Sequence, residues 1–258
     1  MPEQTQQIPS EVQTSINVVC DFVIENAKKD YNNPLQPFKQ YAEKVRLDWS
    51  KLLTDVYLNN RRSQIVLKEY LQKEEQENPD IPEEARWATW EKTSHEIRDY
   101  LQAQTAQTPS QEDQKSIQER FGISWNFMNR VYFVAEKLIE EGKCDDAVLI
   151  FDVLIFLHPL VPDYWIRRGA ALFGSGQFEA ALDQYVFSLI FNPDEPTIFF
   201  EMSRCYFQLK ELEPCLKSLD ACLKYCGQEE RYADLMAKAK TIKRAIESKQ
   251  LRIEGEAK

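Results

Sequence analysis

Apolar positions along this chain recur at the three-to-four-residue spacing of amphipathic helices. Val12, Ile16, Val19, Cys20, Val23 and Ala27 predict a first helix, ending before Asn32-Asn33-Pro34. Phe38, Tyr41, Val45, Trp49, Leu52, Leu53 and Val56 form a second stripe beginning near Pro37. That stripe is compatible both with continuation through Ile65 and Leu71 and with a break at Asn59-Asn60. Asn78-Pro79-Asp80-Ile81-Pro82 is a turn signal, with Pro82 suited to a first helical turn, and Trp87, Trp90, Ile97 and Leu101 mark a third helix. The Gln-, Thr- and Ser-rich stretch around Pro109 reads as a linker.

Beyond that stretch the pattern itself repeats. Gly142 and Gly176 lie 34 residues apart, and the same step carries Ala147 to Ala181 and Cys215, Phe151 to Tyr185 and Leu219, and Pro159 to Pro193. The period and the residue types match the tetratricopeptide helix-turn-helix unit. Small residues at positions eight and twenty let paired helices approach, and an aromatic at twenty-four fills the space between units. Glycine near fifteen ends the first helix, and proline at thirty-two stops the second. Gly169, Phe178 and Tyr185 occupy core positions of the middle copy in this frame, while the third copy, with Gly227 where proline is expected, is degenerate.

The predicted architecture is all-α: a tetratricopeptide repeat superhelix of three repeats plus a closing helix, preceded by an N-terminal helical region. The expected limits are 1–105 for that region, 106–116 for the linker and 117–258 for the repeat domain. The repeats span 128–161, 162–195 and 196–229. Tyr232, Leu235, Met236, Ala239, Ile242 and Ile246 mark the closing helix at about 229–249, and residues from about Leu251 are expected to fray.

In such an array the first helix of each repeat lines the concave face. The positions that point into it include Tyr132, Glu136 and Ile139 in the first copy. They include Ile166, Ala170 and Phe173 in the second, and Phe200, Arg204 and Phe207 in the third. Six of these nine are large and apolar, the composition of a binding groove. A competing expectation is that the N-terminal helices or the closing helix cover this face.

The formal net charge of -10 argues against nucleic acid and anionic membrane as partners. The most apolar run, Val148 to Leu157, is broken by Asp152 and too short to span a bilayer, and the first ten residues lack the pattern of a signal peptide. The six cysteines form no Cys-x2-Cys pair, and Cys215 and Cys222 fall on small-residue core positions, so they read as packing thiols of a reducing compartment. No phosphate-binding loop, nucleophile elbow or His-Glu-x2-His occurs. No catalytic residue, metal ligand or cofactor is expected. His158 reads as a helix-end residue, Asp145-Asp146 as helix-start acids, and Trp87/Trp90 as a packing stripe.

Two uses of the repeat fold separate on particular residues. The two-carboxylate clamp that grips acidic chaperone tails needs Lys, Asn and Arg where this chain has Tyr132, Glu136, Arg167, Thr197 and Glu201. The run Gly142-Lys-Cys-Asp-Asp-Ala147, then Phe151, Pro159, Asp163-Tyr-Trp165 and Gly169-Ala-Ala171, with Asp194-Glu195-Pro196, Cys205 and Leu209, resembles the class II chaperones of bacterial type III secretion, the LcrH/SycD group. The resemblance covers roughly residues 117 to 249. It departs at Thr197 to Cys205 and in the much longer N-terminal region.

What the resemblance implies is a cytoplasmic bacterial chaperone that binds an extended apolar segment of a secreted translocator or effector client in the concave groove, with Tyr132 lining the cleft. The alternative is a scaffold joining two proteins of a secretion apparatus or another complex. A homodimer stays open on either reading.

Overall fold

The computed structural model describes residue 43 and residues 62–103, 116–189 and 191–256. The helix expected from Val12, the stripe from Phe38 to Val56 and the expected linker apart from Ser116 lie outside the described residues. Among the described residues every regular element is helical. The chain divides into two compact units, one running to Tyr164 and the other beginning at Trp165.

In the first unit, α1 covers residues 62–77 and includes Ile65 and Leu71. The helix expected at Pro82 opens instead as a short 3-10 turn, Glu83–Ala85. Arg86 then takes an extended backbone (φ -81°, ψ 155°) and donates from its side chain to the Ile81 and Pro79 carbonyls, both at 2.9 Å. This tie postpones the longer helix, α2 (Trp87–Ala103), to Trp87. Trp87 and Trp90 are buried, and the Trp90 indole stacks on Phe127 at 5.0 Å while its N–H donates to Gln64.

A four-residue helix, α3 (Ile117–Arg120), is held by a reciprocal cap between Ser116 and Glu119. The first repeat follows as α4 (Trp125–Glu140) and α5 (Cys144–Leu157). α4 begins three residues ahead of the repeat frame because the Ser124 hydroxyl accepts from the Phe127 N–H at 3.2 Å, capping the helix there. Phe127, Met128, Val131, Val134, Ala135 and Leu138 bury one face of α4, and α5 is buried on most sides.

The described N-terminal helices pack onto α4, with Arg130 at the centre of the contact. Its guanidinium bonds Glu74 (3.1 Å), Glu75 (3.2 Å) and the Leu71 carbonyl (3.2 Å), and it also donates to the Ala85 carbonyl. Around it, Tyr70 donates to Glu141 at 2.7 Å, Lys137 lies over the Tyr70 ring, and Arg62 pairs with Asp146 of the first turn of α5 at 2.6 Å.

The second repeat is α6 (Pro162–Gly174) followed by α7 (Phe178–Ser188), and the third is α8 (Pro196–Gln208) followed by α9 (Leu212–Cys226). In the second unit a Cβ added at Gly169 would lie 2.7 Å from the Tyr185 ring, which is why this crossing needs glycine. Trp165 stacks on Phe187 at 4.0 Å and Phe199 on Tyr225 at 5.2 Å. Cys205, Cys215, Cys222 and Cys226 are fully buried free thiols, and burial pushes Cys205 and Cys222 up to about 12.

Each first helix of a repeat ends the same way. Gly142, Gly176 and Lys210 adopt φ of 75°, 76° and 63°, and the next residue's N–H returns to the carbonyl five back: Lys143 to Leu138, Gln177 to Leu172 and Glu211 to Tyr206. This closing motif satisfies otherwise orphaned carbonyls, and in the third repeat lysine occupies the left-handed position that glycine fills in the other two. The closing helix, α10 (Ala233–Glu256), follows a 3-10 turn at Glu230–Tyr232. It seats on α9 through Lys243 and Asp220 (2.5 Å) and remains helical past Leu251, where fraying is expected, because no proline interrupts its ladder.

Candidate functional site

The nine positions assigned to the groove sort by unit. In the first, Tyr132, Glu136 and Ile139 share one face of α4 and are all half-buried. The Tyr132 hydroxyl donates to Asp163 at 2.6 Å, and its ring meets Phe151 edge-on at 5.9 Å and tilts against Tyr164 at 6.1 Å. Burial, with the Asp163 charge adding to it, pushes the Tyr164 hydroxyl up to about 12.

The described N-terminal helices, within residues 62–103, meet α4 on another side. Their contacts with α4 and its end go to Phe127, Arg130, Lys137 and Glu141. At roughly 100° per residue those positions lie about 160° around the helix from Tyr132, Glu136 and Ile139. Within this unit, residues 62–103 therefore occupy the side of α4 opposite the candidate site.

In the second unit, Ile166, Ala170 and Phe173 of α6 and Phe200 of α8 are half-buried, while Arg204 and Phe207 are exposed, Phe207 at 50%. The two helices meet where the Arg204 guanidinium lies over the Phe173 ring, 4.3 Å from its centroid. Arg204 also donates to Glu201 at 2.6 Å. Burial raises the Glu201 carboxyl above its ordinary value, and the Arg204 charge partly offsets that shift.

The core of α8 is Ile198, Phe199, Met202 and Cys205, so Phe200, Arg204 and Phe207 project from the opposite side of the helix. The 3-10 turn ahead of α10 meets the N-cap of α8, where the Tyr232 hydroxyl donates to the Glu195 carboxylate at 3.0 Å.

One expectation needs correction. Phe178, assigned to the repeat core, is half-buried, and its ring meets Phe173 edge-on at 5.3 Å. It opens α7 immediately after the Gly176 turn, at the margin of the helix pair rather than between the helices. Phe173 thus touches α7 as well as facing outward.

Sequence reasoning missed two exposed aromatics of α4, Trp125 at 51% and Phe133 at 68%. Trp125 precedes the repeat frame, and Phe133 falls at a repeat position not counted as groove-facing. Extending the exposed helical stripe backward from Glu140 through Glu136 and Asn129 would have reached both. Trp125 leans on His158, the C-cap of α5, at 5.4 Å.

Among the described residues there is no group of three or more His, Cys, Asp and Glu side chains placed to hold a metal, and no helix long and apolar enough to cross a membrane.

No family model matches the sequence. Low calcium response locus protein H of Yersinia pestis is 24% identical over 127 residues, 49% of this chain and 76% of that protein, and its Yersinia pseudotuberculosis counterpart matches equally. Among solved structures, a type III secretion complex from Aeromonas hydrophila is 23% identical with a TM-score of 0.50, covering 60% of this chain and 97% of its own. The Yersinia enterocolitica secretion chaperone SycD, solved with a peptide of the translocator YopD, is 23% identical with a TM-score of 0.47, over 50% of this chain and 98% of its own. The Aeromonas likeness bears on the fold. About half of this chain is thus similar in sequence to low calcium response locus protein H, of the LcrH/SycD group.

Proposed function

We propose that this protein is a cytoplasmic, non-enzymatic chaperone of a type III secretion system. It holds an extended apolar segment of a secreted translocator or effector client along the first-helix faces of its repeats, keeping that segment from aggregating before export. The observation that carries this reading is the row Phe173, Phe200 and Phe207 on the side of α6 and α8 away from the core, with Phe207 half exposed to solvent. Aromatic side chains turned away from the core in successive repeats suit anchors spaced along an extended chain.

Truncating an anchor at such a site typically costs about 2 kcal/mol or more, close to thirtyfold in affinity. Phe173→Ala and Phe200→Ala are therefore expected to lose native-client capture in a pull-down while retaining far-UV circular dichroism. Phe199→Ala is the folding control, because Phe199 is fully buried against Tyr225. Full capture by both groove variants in the folded state would remove this face as the site and favour a scaffold.

A further inference from the structure

The charges of α4 are segregated by face. Its two cations, Arg130 and Lys137, are both turned to the N-terminal helices, one bonded to Glu74 and Glu75 and the other over the Tyr70 ring. Its two acids, Glu136 and Glu140, lie on the other side, in helical register with Trp125 and Phe133. Asp163 adds a further carboxylate there through its bond to Tyr132. This side of α4 thus combines the exposed Trp125 and Phe133 side chains with carboxylates, of which Glu140 is exposed, while the basic residues of the same helix are turned to the N-terminal helices.

We propose that this face of α4 takes a part of the client in which a lysine or arginine stands beside an apolar residue. The inference rests on the chaperone reading and adds a charge requirement to it. An aromatic ring attracts a cation over its face, and a neighbouring carboxylate reinforces the attraction. An acidic segment would meet Glu140 and Asp163 as like charges, so the face discriminates by repulsion as well as attraction. The net charge of -10 draws a basic segment toward the protein and repels an acidic one.

The test immobilises the full chain, offers it a randomised library of short extended peptides and sequences the captured pool. The wild-type pool is expected to be enriched in apolar residues with lysine or arginine two or three positions away. Phe133→Ala and Glu140→Lys, both at exposed positions, are each expected to reduce the basic enrichment about three- to tenfold, with the apolar enrichment retained. Phe173→Ala reads out the second unit separately. Apolar enrichment that depends on Phe173 but carries no basic preference would overturn this proposal and leave the chaperone reading standing. A basic preference that survives both Phe133→Ala and Glu140→Lys would also overturn it. A pool with no apolar enrichment would overturn both.

Discussion

Replacing Gly169 by alanine sets two known effects against each other. Gly169 lies inside α6, where alanine is favoured over glycine by about 1 kcal/mol. The added Cβ, however, would sit 2.7 Å from Cε1, 2.9 Å from Cζ and 3.1 Å from Cδ1 of Tyr185. Carbon atoms in contact prefer roughly 3.5–4.0 Å, so the ring would have to recede by about 1 Å. Tyr185 is fully buried, so any such shift displaces its packing neighbours. Overpacking of this kind costs about 1–3 kcal/mol, which outweighs the propensity gain and leaves Gly169→Ala destabilised by about 1 kcal/mol. Gly169→Leu should lose more.

Urea denaturation followed by far-UV circular dichroism measures the difference, and a second background isolates its cause. In Tyr185→Leu, which removes the obstructing ring edge, Gly169→Ala should become neutral or favourable. The coupling between the two sites should then be about 1–2 kcal/mol. If Gly169→Ala raised the urea midpoint equally in both backgrounds, the helix crossing would not be the reason for the glycine and the argument would fail.

Two further substitutions probe contacts that the repeat frame does not contain. Arg130→Ala removes a side chain only 10% exposed that serves two carboxylates and two carbonyls, and should cost about 3 kcal/mol. It should also release residues 62–103 to limited proteolysis well before the repeats are cut, whereas wild-type cleavage kinetics would show that the docking does not depend on this hub. Lys210→Gly relieves a left-handed residue that costs about 1–2 kcal/mol and gives back about 0.4–1 kcal/mol through the unfolded chain, so a net gain of about 0.5–1 kcal/mol in urea stability is expected. A loss would mean that the lysine side chain contributes more to the third repeat than its backbone costs.

The three-fold frame was legible because helix burial is a local property. Gly142 and Gly176 were expected to end first helices, and both take the left-handed φ that a closing motif requires. Core positions such as Ala147, Leu172 and Cys215 follow the same frame, since a residue three or four places from a buried neighbour shares its face whatever lies beyond. The outward placement of Phe173, Phe200 and Phe207 follows from the same periodicity.

Other features depend on residues far apart in the chain. Arg130 reads as an ordinary exposed helix cation until Glu74, 56 positions earlier, is brought beside it. That same docking places residues 62–103 on the side of α4 away from Trp125 and Phe133, which stay exposed. Arg204 meets Phe173 only because α6 and α8 lie side by side, and Phe178 falls at the margin of its helix pair because the turn at Gly176 ends there. Lys210 holds a conformation that its own steric preference opposes, and the closing bonds of α8, Lys210 to Phe207 and Glu211 to Tyr206, hold it there. Periodicity determined which face of each helix is apolar. Which of those faces is covered was decided by long-range packing, because the partner surface is supplied by residues that no local pattern places nearby.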